Sequence, residues 1–168
     1  MTIRLATDDD WPAILEVHRR AFVGDADVPR LAQELRSSDV YEPGLSFVAV
    51  SDGAVVGHVM NTWSGLEGST VRLLQLSPLG VLPDRQRQGF GSALVRASLA
   101  AVRSLGEPLL LVEGNPAYYG RLGFVRADEL GLLPPPEALY DWAFQVAVLD
   151  ERAALPQGRV VYPEPFRR

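Results

Sequence analysis

The chain has no cysteine and no lysine among its 168 residues. Without cysteine there is no disulfide staple, no thiolate metal ligand and no thiol nucleophile, so any covalent catalysis must use another side chain. All 16 basic residues are arginine, so self-modification of an amine is confined to the N-terminus. No apolar run approaches the roughly 20 residues that span a bilayer, and Met1-Thr2-Ile3-Arg4 lacks the basic start and apolar block of an export signal. The expectation is a cytoplasmic protein that does not insert in membranes. A formal net charge of −5 disfavours general nucleic-acid or anionic-membrane binding and weakly favours cationic acceptors, while leaving room for a local basic patch that holds a phosphate.

What is present reads as a packed globular chain. A hydrophobic share of 47% against 22% charged suggests neither disorder nor a fibre, and the length predicts one domain over 1-168 with one site. Ile3 to Ala6 alternates like a strand, and Thr7-Asp8-Asp9-Asp10 offers capping groups to a helix opening at Trp11-Pro12. Three consecutive carboxylates make a poor metal cage, so capping is the expectation there and no metal is predicted. Trp11, Ile14, Leu15, His18, Ala21 and Phe22 form a helical stripe with His18 at its edge, and Val28 to Arg36 forms a second helix. Leu45 to Val50 and Ala54 to Trp63 read as strands around an Asp52-Gly53 hairpin, with a loop from Ser64 to Gly68 before the apolar run Val71 to Leu82.

From Gly89 the period becomes helical, with Phe90, Ala93, Leu94, Ala97, Ala101 and Leu105 on one face and Gly106 as the stop. Leu109 to Val112 suits a central strand, Pro116 to Leu122 a short helix ending at Gly123, Leu132 to Glu137 a Pro-rich connection, and Trp142 to Leu149 a further strand. The tail from Arg159 to Phe166 offers one more. Trp63, Trp142 and Phe144, at strand positions, are expected to fill the core rather than line a pocket. His58 is expected to be structural.

The segment Val81-Leu82-Pro83-Asp84-Arg85-Gln86-Arg87-Gln88-Gly89-Phe90-Gly91-Ser92 runs from a strand end through a tight turn into a helix. Gly89 and Gly91 remove side chains where unpaired amides and the positive dipole end emerge, and Arg85 and Arg87 add charge: an anion site. A dinucleotide fingerprint starting at Gly89 fails because Leu94 is too large for close helix-strand packing. A Walker loop fails because no lysine exists to reach the phosphates.

What remains, Gln86-x-x-Gly89-x-Gly91, resembles the pyrophosphate-binding motif of the GNAT N-acetyltransferases. Asn115-Pro116-Ala117-Tyr118-Tyr119, followed by Gly123-Phe124, resembles the family's second hallmark, with Tyr119 four residues before the Gly-Phe pair. Together with Val160-x-Tyr162-Pro163-x-x-Phe166, the arrangement looks like the YhbS-type branch, so the resemblance runs along essentially the whole chain. It implies an α+β fold, a three-layer sandwich whose mixed, mostly antiparallel sheet splays at its middle strands and carries helices on both faces.

The resemblance also implies acetyl-CoA as cosubstrate, with the pantetheine arm along Leu79, Gly80 and Val81 and the pyrophosphate at Arg87, Gln88, Gly89, Phe90, Gly91 and Ser92. Gln86 would brace the turn, and Asn115 and Tyr119 would complete the cofactor side. Transfer would be direct, a deprotonated amine attacking the thioester carbonyl while an amide near Val81 holds the oxyanion. Tyr119 is the expected donor to the departing thiolate, against the competing possibility of a ring packed on the sheet beside Tyr118. Glu113 stands as a possible general base, with a helix-capping role for it, or a water acting in its place, as the alternatives. The acceptor amine is not written in the sequence, and a monomer or a homodimer through the C-terminal strands both fit. A non-catalytic acyl-CoA-binding domain, or an interaction protein with a structural anion at the helix start, is the rival reading.

Overall fold

Strand alternation sets the layers. In the computed structural model, which describes residues 1–167, β2 (Tyr41–Ser51) and β3 (Ala54–Leu66) send successive side chains to opposite faces. Val48 and Met60 pack with Trp11, Ile14, Ala32 and Leu35, the inward stripes of α1 (Trp11–Ala21) and α2 (Asp27–Arg36). Ala49 and Val59, one residue along, pack instead with Leu94, Val95 and Val102 of α3 (Phe90–Ser104). Burying Leu94 and Val95 completely is worth roughly 1.5–3 kcal/mol each.

The sheet opens with β1 (Thr2–Leu5), antiparallel to β2, and continues through β3 to β4 (Arg72–Val81). β4 then meets β5 (Leu109–Glu113) in parallel, followed by β8 (Phe144–Val148) and β6 (Val125–Arg126). β7 (Leu132–Leu133) pairs with β9 (Gly158–Val161), and β9 returns to β3. With α4 (Pro116–Tyr119), the described residues hold nine strands and four α-helices, in the splayed, mostly antiparallel arrangement expected. The splay is visible in the register: β4 and β5 pair only at Gln75 with Leu111 and Leu76 with Val112. Past a register break at Ser77-Pro78, β4 stays on β3 from Leu79 to Val81 and leaves its other edge open. Among the described residues no helix is long and apolar enough to cross a membrane.

Several local expectations need correction. β3 does not yield to a loop at Ser64 but runs on to Leu66, because Gly65 and Leu66 find partners in Val161 and Val160 far along the chain. The Pro-rich connection contains β7 for the same reason, since β9 supplies its partner. Leu105 is exposed while Ser98 is buried on α3; Asn61 Nδ2 donates to Ser98 Oγ at 2.9 Å, so a polar pair fits where apolar periodicity alone would place leucine. Trp142 lies in a 3₁₀ turn over Asp141–Ala143 and is half exposed, whereas Phe144 is fully buried as expected. Asp10 caps by accepting the Thr7 amide at 2.8 Å and is also gripped by Arg4 at 2.6 and 2.8 Å.

His18 is not at an edge. It is fully buried, its Nε2 lies 2.8 Å from His58 Nδ1, and His58 Nε2 lies 3.0 Å from Ser46 Oγ. Burial holds the His18 imidazole down at about 4, and burial followed by the His18 charge holds His58 well below its ordinary value. Both rings are therefore neutral in the fold, and the unfolded chain takes up protons first, below about 6.5. Stability should be complete above pH 6.5 and fall as the pH drops toward 4, His18 alone accounting for about 1.6 kcal/mol between pH 6.5 and 5 and His58 adding in the same direction. Urea unfolding midpoints at those two pH values check this; a midpoint that does not move would show that the pair is solvated or charged.

Candidate active site

The turn after β4 is built by short-range chemistry. A 3₁₀ turn over Pro83–Arg85 leads to Gln86, whose Nε2 donates back to the Val81 carbonyl at 3.0 Å. Gln88 Nε2 donates to the Asp84 carbonyl at 3.0 Å. Arg87 and Gly89 both take left-handed backbone conformations, φ 60° and 89°, a strained choice for the arginine and a free one for the glycine. This double reversal throws α3 outward so that its first turn faces a cavity of about 580 Å³. The first intrahelical acceptor is the Gly89 carbonyl, bonded to the Ala93 amide at 3.0 Å, and no side chain caps the helix. The amides of Phe90, Gly91 and Ser92 are therefore the orphan donors of the helix start.

That cavity is lined by Leu79, Val81, Gln86, Arg87, Gly89, Gly91 and Ser92, and by two residues the sequence reading did not place there, Tyr118 and Arg121. Gly80, Gln88, Phe90, Asn115 and Tyr119 do not line it. Arg85 does not supply its charge either. Its guanidinium turns to Asp52 at 3.4 Å and Asp84 at 3.9 Å, and Arg121 contributes the second cation beside Arg87. Arg121 follows Tyr119 by only two residues, but nothing in local periodicity announces that the 3₁₀ turn Gly120–Leu122 packs against α3. Gly91 is demanded by Tyr118: a Cβ at position 91 would come within 2.7 Å of the Tyr118 hydroxyl.

A second chamber of about 300 Å³ shares Leu79 with the first and is walled by Ser77, Pro78, Tyr119, Glu113 and Gly114, among others. Tyr119 is 8% exposed, with its ring in edge contacts to Tyr118 at 4.9 Å and Phe124 at 5.5 Å. Burial, then Tyr118, pushes its phenol above the ordinary tyrosine range, so it stays protonated.

Glu113 does not cap α4; Asn115 does, its side-chain oxygen accepting the Ala117 amide at 2.9 Å. The Glu113 carboxylate instead accepts from the Leu139 amide and from the Tyr162 hydroxyl, each at 2.8 Å. It stands at the wall common to the second chamber and a third cavity of about 390 Å³. Among the described residues no group of three or more histidine or acidic side chains is placed to hold a metal ion.

Comparison with known proteins gives the family. Residues 2–127 match the family model described as an acetyltransferase (GNAT) domain. The uncharacterized N-acetyltransferase YhbS of Escherichia coli (strain K12) is 32% identical over 173 residues, covering 100% of this chain and 99% of that protein. The uncharacterized N-acetyltransferase YjhQ of the same strain is 33% identical over 125 residues, covering 73% and 68%. The crystal structure of Escherichia coli YhbS in complex with CoA superposes with a TM-score of 0.90 at 30% identity, over 99% of this chain and 92% of that one. A GNAT family acetyltransferase from Brucella melitensis in complex with acetyl-CoA gives 0.80 at 28% identity, over 98% and 97%. With the family model spanning most of the chain and YhbS aligned from end to end, this protein belongs to the GNAT acetyltransferase family.

Proposed function

We propose that the chain is an N-acetyltransferase that transfers the acetyl group of acetyl-CoA to a primary amine by direct attack in a ternary complex. The observation that carries the reading is the uncapped start of α3, where Gly89, Gly91 and Ser92 line the same cavity as Arg87 and Arg121. Such a cradle suits a diphosphate, and YhbS and its Brucella relative hold CoA and acetyl-CoA. Arg87, Gly89, Gly91 and Ser92, which line the cavity, would take the diphosphate, with Gln88 and Phe90 holding the turn from outside it, while Gln86 and Asn115 fix the two flanking turns. Leu79, Gly80 and Val81, on the unpaired edge of β4, would pair with the pantetheine arm.

Held there, the thioester brings an activated acetyl group to the second chamber. The chain's own part is positional and electrostatic: an amide at the end of β4, near Val81, receives the charge developing on the carbonyl oxygen, and Tyr119 donates to the departing sulfur. Glu113, at the chamber wall, is the residue placed to draw the proton from the incoming amine, directly or through a water. We read residues 1–168 as one domain, since β9 lies beyond the segment matching the family model yet pairs with β3 in the same sheet. Its place of work would be the cytoplasm.

Acetyl-CoA at about a hundred times its Kd should stabilise the protein by about 2.7 kcal/mol, or about 5–10 °C in Tm for a chain of this size. Free thiol should appear only when an amine is added. Stabilisation without amine-dependent thiol release across a broad amine panel would instead identify a non-catalytic acyl-CoA-binding domain, and no stabilisation by CoA would sink the reading.

A further inference from the structure

The three cavities share walls in sequence and change sign along the way. The first carries Arg87 and Arg121. The 390 Å³ cavity, joined to the middle chamber through Leu31, Ser77, Glu113 and Gly114, is lined by no cationic side chain; its charged groups are Glu113 and Glu137. Its mouth carries an aromatic pair, Tyr140 and Trp142, stacked at 5.1 Å with planes 21° apart and 58% and 50% exposed. Large apolar rings left in solvent side by side gain little for the fold and mark a place where something flat is covered. Glu113 is fixed rather than mobile. The Leu139 amide and the Tyr162 hydroxyl hold its two oxygens, and Tyr162 is kept protonated by burial and by the Glu113 charge. A carboxylate has about four lone-pair sites, so two such bonds leave room for an ammonium.

Resting on the acetyltransferase reading, we propose that this cavity is the acceptor subsite and that the acceptor is a small primary amine carrying a flat aromatic body. Glu113 and Glu137 receive the cationic amine, Trp142 and Tyr140 cover the ring, and the amine is led toward the middle chamber where Tyr119 and Leu79 stand. The acidic walls reject an acceptor bearing its own carboxylate, and the aromatic mouth disfavours a ringless one.

Calorimetric titration of 2-phenylethylamine, phenylalanine and ethanolamine into the CoA-saturated protein tests this independently of turnover. 2-Phenylethylamine is expected to bind at least tenfold more tightly than either of the others. Trp142→Ala should weaken it about tenfold and remove its advantage over ethanolamine, and Glu137→Gln should weaken it about threefold to tenfold, neither changing the Kd for CoA. Equal binding of the three amines, preference for phenylalanine, or indifference to both substitutions would overturn the proposal. If CoA itself failed to bind, the acetyltransferase reading would fall, while titration of the free protein would still decide whether an aromatic amine occupies this cavity.

Discussion

Tyr119→Phe is expected to lower kcat about a hundredfold or more while the Kd for CoA changes less than about threefold. The ring is buried against Tyr118 and Phe124, and phenylalanine keeps that packing, so the substitution removes one hydroxyl and little else. The ordinary phenol and thiol pKa values of about 10 and 8.5 already make full proton transfer to a thiolate uphill by roughly 2 kcal/mol. Burial, and then Tyr118, raises the Tyr119 phenol further, so its contribution is a hydrogen bond that strengthens as charge builds on sulfur. Losing one such donor costs on the order of 10²–10³ in rate. Rapid-quench turnover with a good acceptor, beside CoA titration, measures both quantities. A variant with undiminished kcat would return Tyr119 to the role of a packing residue.

Gly91→Val should raise the Kd for CoA at least about a hundredfold, near 2.7 kcal/mol, in a protein that still folds, with its stability lowered by no more than the displacement of Tyr118 costs, about 1–3 kcal/mol. Valine is a better helix residue than glycine, so α3 itself does not suffer. The damage is local. The Cβ would meet the Tyr118 hydroxyl at 2.7 Å and the Val81 methyl at 3.8 Å, and the branched methyls would stand in front of the orphan amides. Gly91→Ala is the milder case, since its single methyl conflicts chiefly with the far end of a side chain; adding Tyr118→Phe to it should recover much of the affinity. A Kd for Gly91→Val within threefold of the parent would place the diphosphate elsewhere.

Most of the architecture was legible because it depends on short-range periodicity. Trp11, Ile14 and Leu15 repeat at helical spacing, and Val48-Ala49 against Val59-Met60 alternate to two faces. Most of what sequence reading missed depends on partners that lie far along the chain. Gly65 and Leu66 looked like loop residues until Val160 and Val161 paired with them. His18 looked peripheral because its partner, His58, lies 40 residues away on β3. The site divides along the same line. Gln86, Gly89 and Gly91 could be read from the turn chemistry of one segment, whereas Arg121 and Tyr118 enter that cavity only because the 3₁₀ turn Gly120–Leu122 packs against α3, and Arg85 leaves it for Asp52 on the β2–β3 turn. Trp142 was misread for want of any local mark separating a strand end from a 3₁₀ turn.

The contact between β4 and β5 has only two paired positions although both strands are longer. On one side lie the α1–α2 hairpin and the β1–β4 meander, on the other β5, β8 and β6. On the proposed binding mode a cosubstrate threaded into that gap would act as a keystone, supplying the rungs the polypeptide omits, so that occupancy and rigidity would be a single event.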